Sequence, residues 1–155
     1  MSEAVIDVRN VSTTLGGHAI HRGLDLSVAR GEVIALIGGS GTGKSVLMRE
    51  IIGLLRPQAG RIELFGQSVW DSTPDQMNAL RRRFGVLFQD GALFSSLSVE
   101  DNVATPLFEH TDLPQATCRQ LARLKLALAG LPPDTAKKRP SELSGGMRKR
   151  VALAR

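Results

Sequence analysis

The sequence predicts an α/β fold in which strands come first and helices last. Two early segments alternate apolar and polar residues, as strands with one solvent-facing side do. A continuous aliphatic run, VIALI at 33–37, then leads into a glycine-rich loop and a helical pattern. Such a run is typical of a strand buried on both faces of a parallel sheet. From about residue 90 onward the pattern is mainly helical.

The composition predicts one cytoplasmic globular domain. Of the 155 residues, 42% are hydrophobic and 23% are charged, which is ordinary for a soluble protein with a core. No apolar run approaches the roughly 18 residues that cross a bilayer. The N-terminus lacks the basic start and apolar stretch of a secretory signal. The single cysteine, Cys118, excludes an internal disulfide and is expected to be buried in a helix.

The net charge of +5 raises nucleic acids as binding partners. The basic residues cluster at 137–139 and 148–150, and aromatic residues make up only 4% of the chain. Proteins that hold single-stranded nucleic acid combine basic grooves with aromatic stacking platforms. The pattern therefore favours a solvated basic face, or one that meets phosphates or acidic lipid headgroups. We expect no nucleic-acid partner.

The N-terminal half is expected to contain strands and two helices. A helix should run from Lys44 to Leu55, ended by Pro57, and a shorter one over 74–83 after a Ser72 or Thr73 cap. Glycine pairs and Arg-Gly mark the turns. The expected strands are 5–11, 24–28, 33–37, 61–65 and 84–88.

The C-terminal half is expected to form three helices. Ser98 should cap the first, and Pro106 should kink or end it. The second should carry three leucines on one face and stop at Gly130. The segments LPPD and KKRPSE should form loops before a last helix. The three leucines are Leu121, Leu124 and Leu128.

A first anion site is predicted at GGSGTGKS, which satisfies the pattern G-x-x-x-x-G-K-[S/T]. Glycines let backbone N–H groups curl around phosphates without steric clash. Lys44 brings a compact positive charge, and Ser45 offers a hydroxyl to Mg²⁺ where a helix begins. The alternative, a flexible glycine turn, requires this motif to have arisen by chance between a strand and a helix. The predicted triphosphate-binding residues are Gly38, Gly39, Ser40, Gly41, Thr42, Gly43, Lys44 and Ser45.

A second anion site is predicted at LSGG, residues 143–146. Ser144, Gly145 and Gly146 leave N–H groups free at the positive end of a helix dipole. A capped helix without a ligand is the alternative interpretation. With both motifs in place, the whole chain resembles the nucleotide-binding domain of ATP-binding cassette (ABC) transporters. Gln89, directly after an expected strand, matches the family's Q-loop.

The resemblance implies a P-loop NTPase core of the RecA-like type, with an antiparallel β-subdomain and a helical subdomain. One domain would span 1–155, incomplete at its C-terminus, with the β-subdomain and P-loop core in 1–89 and the helical subdomain in 90–155. It also implies ATP and Mg²⁺ as cofactors. Lys44, Gln89 and Ser144 would be catalytic, and the metal would contact Ser45 and Gln89.

The resemblance further implies that two copies pair head to tail. Residues 144–146 of one copy, the SGG of the LSGG motif, would meet the γ-phosphate held by Lys44 of the other copy. The family's Walker B aspartate, its water-activating glutamate and its later histidine have no counterpart before Arg155. We therefore expect the N-terminal portion of a longer ATPase, truncated before Walker B and inactive alone.

Four other residues lie outside these motifs. Leu15 stands where many members carry an aromatic residue that stacks on adenine, so base discrimination is expected to be loose. The histidines fall in no motif and are expected to be surface or structural residues. They are His18, His21 and His110.

Within the family, GALFSSLSVEDNVATPLFEHTDLP and PSELSGGM resemble the ATPases of Mla-type lipid importers. This resemblance implies ATP-driven movement of phospholipid or another lipid, on the cytoplasmic face of the inner membrane. The implied partners are a transmembrane permease, a second copy of the chain and, indirectly, periplasmic lipid-binding components. One alternative is a soluble ABC ATPase of DNA repair or translation, which the short helical insertion disfavours. The other is a non-catalytic nucleotide-binding fragment.

Overall fold

The structure, a computed structural model, describes residues 4–155. The chain forms two compact units. The first ends at Phe84, and the second runs from Gly85 to Arg155. Each unit has a hydrophobic cluster of its own.

The first unit contains an antiparallel sheet of four strands among the described residues. Its strands lie in the order β2-β1-β3-β4. The β1–β2 hairpin turns at Gly16 and Gly17, both with positive φ, and its register shifts several times. The strands are β1 (Ala4–Leu15), β2 (His18–Ala29), β3 (Ala59–Leu64) and β4 (Gln67–Ser68).

Two helices complete the regular structure described in this unit, α1 (Lys44–Ile51) and α2 (Pro74–Arg81). Of the two residues expected to cap α2, Thr73 is the N-cap. Its hydroxyl oxygen accepts a hydrogen bond from the N–H of Gln76 at 3.3 Å. Helix α1 ends before the expected Leu55, because the chain turns at Gly53 with a φ of 76°. Helices α1 and α2 share an apolar core with the sheet, formed by Val8, Val11, Leu47, Ile51, Ile62, Leu64, Val69 and Leu80.

Two segments that were expected to be buried strands are not strands. Residues 33–37 and 84–88 have no regular secondary structure. Val33 and Ile37 are 95% and 94% exposed. An aliphatic sequence favours a strand, but a neighbouring strand must take up its backbone hydrogen bonds. No strand of the described sheet pairs with either segment.

The second unit is helical throughout its regular structure. Its core includes Cys118, which is fully buried as expected. No helix described between residues 4 and 155 is both long enough and apolar enough to span a membrane. The helices are α3 (Val99–His110), α4 (Gln115–Leu128), α5 (Gly145–Ala154) and two short 3₁₀ helices, Pro133–Lys137 and Pro140–Glu142.

Pro106 was expected to kink or end α3, and it does not end the helix, which continues to His110. A proline removes one backbone hydrogen bond, and packing of α3 against α4 stabilises the remaining turns. The segments expected to be loops contain the two 3₁₀ helices, each of which begins at a proline with its φ already fixed.

Candidate functional site

The loop from Gly38 to Gly43 leads directly into α1. Gly43 is the N-cap of the helix, with φ 92° and ψ −2°, a left-handed conformation that favours glycine. No side chain caps α1, and its first turn contains no acidic residue. The first N–H groups of α1 therefore lack intrahelical acceptors and face no fixed negative charge. These are the conditions under which a helix N-terminus binds an anion.

The ammonium of Lys44 lies within the loop. Its Nζ donates to the carbonyl oxygen of Gly38 at 2.7 Å and to Thr42 Oγ1 at 3.1 Å, and also to the carbonyl of Gly39. Thr42 Oγ1 in turn donates to Gly39 at 3.0 Å. Ser45 follows at the second position of α1 and is exposed. A phosphate in the loop would therefore meet one ammonium, one hydroxyl and several N–H groups.

A cavity of about 290 Å³ opens at this loop, lined by Ile20 and residues 40–46. This lining contains no carboxylate, so nothing in it opposes a polyphosphate electrostatically. The loop residues predicted from the sequence are thus assembled in the first unit, and the donor set fits a phosphate chain. Mg²⁺ prefers oxygen ligands, and the Ser45 hydroxyl supplies one such oxygen here.

A buried polar cluster of Thr13, His21 and Glu50 lies beneath this loop and was not predicted from the sequence. Glu50 is fully buried, accepts a hydrogen bond from the Thr13 hydroxyl and has Oε2 3.1 Å from Nδ1 of His21. Glu50 could have been recognised, because it shares the inward face of α1 with Leu47 and Ile51. His21 could not, because the register shifts between Val11 and Thr13 change which β2 residues face inward.

The second candidate anion site lies at the start of α5. Ser144 is the N-cap, and its hydroxyl oxygen accepts the N–H of Met147 at 3.2 Å. The hydroxyl hydrogen of Ser144 is not used by this bond. Gly145 and Gly146 are exposed and have no heavy atom within 4 Å of the position that a Cβ would take. The predicted helix start is confirmed, and it is open to a ligand from outside.

Gln89 lies in an exposed turn of the second unit. Three side chains form hydrogen bonds to the backbone of the segment that follows, residues 92–96. Asn102 Oδ1 accepts the N–H of Phe94 at 2.7 Å, and Arg139 donates to the carbonyl of Ser96 at 3.0 Å. Arg155 donates to the carbonyl of Ala92 at 2.7 Å. Burial lowers the pKa of Arg155, because its guanidinium is partly removed from water.

The predicted residues thus fall into two groups. The loop with Lys44 and Ser45 belongs to the first unit, and Gln89 and Ser144 belong to the second. The sequence profile of the ABC transporter family matches residues 21–155, which include all of them. The chain belongs to the ABC transporter family.

Curated relatives in this family match almost the whole chain. It is 46% identical to the "Probable ribonucleotide transport ATP-binding protein mkl" of Mycobacterium bovis, over 97% of this chain and 42% of that protein. It is 43% identical to the intermembrane phospholipid transport system ATP-binding protein MlaF of Haemophilus influenzae, over 100% of this chain and 58% of that protein. MlaF of Escherichia coli K12 is also 43% identical, with 97% and 56% covered. The chain spans about half the length of these relatives.

Solved ABC structures share the fold. A dimeric structure of MJ0796, described as a bacterial ABC transporter cassette, superposes with a TM-score of 0.86 at 29% identity, covering 96% of this chain and 67% of that one. A post-hydrolysis state of the same cassette, bound to ADP and Pi, gives 0.84 at 27% identity. The α/β fold of the P-loop NTPase type is therefore confirmed.

Proposed function

We propose that the chain is the ATP-binding part of an energy-coupling subunit of an ABC transporter, and that the complete protein hydrolyses ATP to move a lipid. The observation that carries this proposal is the position of the Lys44 ammonium. It lies among the carbonyl oxygens of the loop, next to an uncapped helix start without acidic residues. A triphosphate tail is the ligand that uses all of these groups at once.

Each residue of the loop has a separate task in this proposal. The N–H groups at the start of α1 would hold the phosphates in register, and Lys44 would turn from the loop carbonyls to the terminal phosphates. Ser45 would hold Mg²⁺ through its hydroxyl. The metal, when bound, neutralises charge that develops on the phosphate oxygens during transfer to water.

Ser144 is proposed to act on the nucleotide of a second copy. Its oxygen already caps α5, so its hydroxyl hydrogen and the exposed N–H groups of Gly145 and Gly146 would meet a γ-phosphate arriving from outside. Lys44 and Ser144 would therefore serve two different nucleotides in a head-to-tail dimer. The MJ0796 cassette, which this chain resembles at a TM-score of 0.86, is described as dimeric.

A phospholipid or another lipid is the substrate class that we propose. The H. influenzae relative is named for intermembrane phospholipid transport and matches all of this chain at 43% identity. The segment 91–114 also resembles lipid importers. Phe94, within it, is 52% exposed and lies directly after the Gln89 turn, which suits docking on a membrane permease. The protein would then sit at the cytoplasmic face of the inner membrane, with periplasmic lipid-binding components as indirect partners.

Substitution of Lys44 tests the proposed function. In the complete protein, Lys44→Ala removes a charged donor, so we expect ATP affinity to fall by about one to two orders of magnitude and ATPase activity to disappear. Binding is measured by titration calorimetry with ATP and Mg²⁺. Arg49→Ala, which removes an exposed charge from the last turn of α1, is the control and should bind normally. Normal ATP binding by Lys44→Ala would overturn the assignment.

A further inference from the structure

The cluster of Thr13, His21 and Glu50 joins three elements at the base of the loop. Thr13 belongs to β1, His21 to β2 and Glu50 to α1. The Glu50 side chain is fully buried and that of His21 is 4% exposed. Their facing atoms, Nδ1 and Oε2, lie 3.1 Å apart and have no hydrogen bond to any other described side chain or backbone group. These two atoms therefore have only each other to compensate for burial, while the other carboxyl oxygen of Glu50 accepts the hydroxyl of Thr13.

Packing alone does not account for this cluster. Glu50 lies between the apolar positions Leu47 and Ile51, where an apolar side chain would fill the same space. Removing a carboxylate and an imidazole from water is unfavourable, and an apolar replacement of a buried pair is often neutral or stabilising. A buried polar pair at such a position is better explained by the geometry that it fixes.

That geometry is the turn at Gly43. A Cβ at residue 43 would lie 2.6 Å from Nε2 of His21 and 2.7 Å from Cγ2 of Ile20. The edge of the imidazole therefore contacts the backbone of the N-cap of α1 directly. Lys44 follows this backbone, so a displacement of the ring displaces the residue that carries the phosphate-binding ammonium.

The cluster does not contact the nucleotide cavity itself. The residues that line the cavity are Ile20 and 40–46, and His21 is not among them. Its influence must pass through the backbone of Gly43, which makes His21 and Glu50 positioning residues and not catalytic ones. Backbone donors that are fixed before binding avoid the entropy of ordering, and so raise affinity.

We propose that His21 and Glu50, supported by Thr13, hold the phosphate-binding loop at Gly43 in the form that receives the triphosphate. This inference rests on the proposed function, since it assumes that the loop binds a nucleoside triphosphate. It assigns a role to two residues that lie outside the phosphate-binding motif. The imidazole fixes the turn, and the carboxylate fixes the imidazole.

Titration calorimetry with ATP and Mg²⁺ on the complete protein separates positioning from a structural role. Glu50→Gln keeps the shape of the side chain but leaves a single oxygen, which cannot accept from both Thr13 and His21. We expect the dissociation constant to rise about tenfold, equivalent to about 1.4 kcal/mol, while the binding stoichiometry stays at the wild-type value. A merely structural role would instead lower the fraction of binding-competent protein and leave the dissociation constant unchanged, and that result would overturn the proposal.

A double variant, His21→Leu with Glu50→Leu, provides the second measurement. It replaces the pair by apolar groups, so the fold should be retained, as checked by circular dichroism and the melting temperature. We again expect an ATP dissociation constant about tenfold higher. A folded double variant with wild-type affinity would overturn the proposal, and Glu50→Gln decides alone if the double variant does not fold. His18→Leu, at an exposed position of β2, is the matched control and should bind ATP normally.

Failure of this inference differs from failure of the proposed function. If the wild-type protein does not bind ATP, or if Lys44→Ala binds it normally, the proposed function is wrong. If the wild type binds ATP and Lys44→Ala does not, but Glu50→Gln matches the wild type in affinity, only the positioning role is wrong.

Discussion

At the scale of single residues, two glycines of the same loop have different reasons to be glycine. Gly41 and Gly43 both have positive φ, 82° and 92°. A Cβ at Gly41 would meet no heavy atom within 4 Å, whereas one at Gly43 would meet His21 at 2.6 Å. Conformation alone thus requires a glycine at position 41, and close packing adds to that requirement at position 43.

We expect Gly43→Ala to be more destabilising than Gly41→Ala. The left-handed conformation costs an alanine about 1–2 kcal/mol at either site, and the overlap at Gly43 adds about 1–3 kcal/mol. Urea unfolding of the two variants measures the difference. Gly41→Ala is the internal control, since it carries the same conformational strain without the overlap. Equal unfolding midpoints would show that the His21 ring can move aside freely.

The ion pair of Asp101 and Arg119 predicts a pH dependence. Arg119 Nε donates to Asp101 Oδ1 at 2.9 Å, and this hydrogen bond lowers the pKa of Asp101 below its ordinary value, assisted by Ser98. The folded state therefore binds this proton less readily than the unfolded state. The resulting stabilisation is present above about pH 4 and is lost as the pH falls through the lowered pKa of Asp101.

Accordingly, Arg119→Met should reduce the urea midpoint at neutral pH, and its difference from wild type should be smaller at an acidic pH below the lowered pKa of Asp101. The effect should be small, because both side chains are partly exposed to solvent. Arg22→Met, at an exposed position of β2, is the control for loss of one positive charge. A difference between Arg119→Met and wild type that is the same at both pH values would contradict the ion-pair origin.

At the scale of elements, α3 fixes the segment that follows Gln89. Asn102 is fully buried, accepts the N–H of Phe94 at 2.7 Å and donates to the carbonyls of Phe94 and Ser98, each at 3.0 Å. One side chain of a packed helix thus replaces the hydrogen bonds that the irregular backbone cannot make for itself.

Asn102→Ala should loosen this segment. The substitution leaves the N–H of Phe94 without its hydrogen-bond acceptor, which should lower the local stability of the segment by about 1–3 kcal/mol. Hydrogen exchange at the Phe94 amide should accelerate about tenfold or more. Thr105→Val, which removes a hydroxyl that bonds only within α3, is the control and should leave this amide unchanged. Unchanged protection in Asn102→Ala would mean that other contacts hold the segment.

Helix caps could be predicted from the sequence, whereas strand pairing and register could not. The caps of α2, α3 and α5 were predictable because the side chain and the N–H that it accepts lie within three residues. The irregular backbone at 33–37 and 84–88 was not predictable, because strand formation depends on pairing with chain segments far away in sequence. His21 was missed for a related reason, since shifts of register between β1 and β2 set which side chains point inward.

At the scale of the whole molecule, each compact unit carries one of the two candidate anion sites. Lys44 lies in the first unit and Ser144 in the second. If each serves a different nucleotide, as proposed, neither residue completes an ATP site within its own copy. A homodimer of a variant lacking either residue would then have two defective composite sites, while a mixed dimer of two different variants would have one intact site.

Mixing Lys44→Ala with Ser144→Arg subunits of the complete protein therefore tests the dimer. Each variant alone should lack ATPase activity. In a one-to-one mixture about half of the dimers are mixed, and each has one intact site of two, so about a quarter of the wild-type rate should return if the sites act independently. A double variant that carries both substitutions, mixed with wild type, is the control, because its mixed dimers contain two half-defective sites and should contribute no activity. Native mass spectrometry of subunits that differ in mass measures the fraction of mixed dimers independently of activity. If the Lys44→Ala and Ser144→Arg mixture stays inactive although mixed dimers have formed, Ser144 does not act on the nucleotide of the other copy.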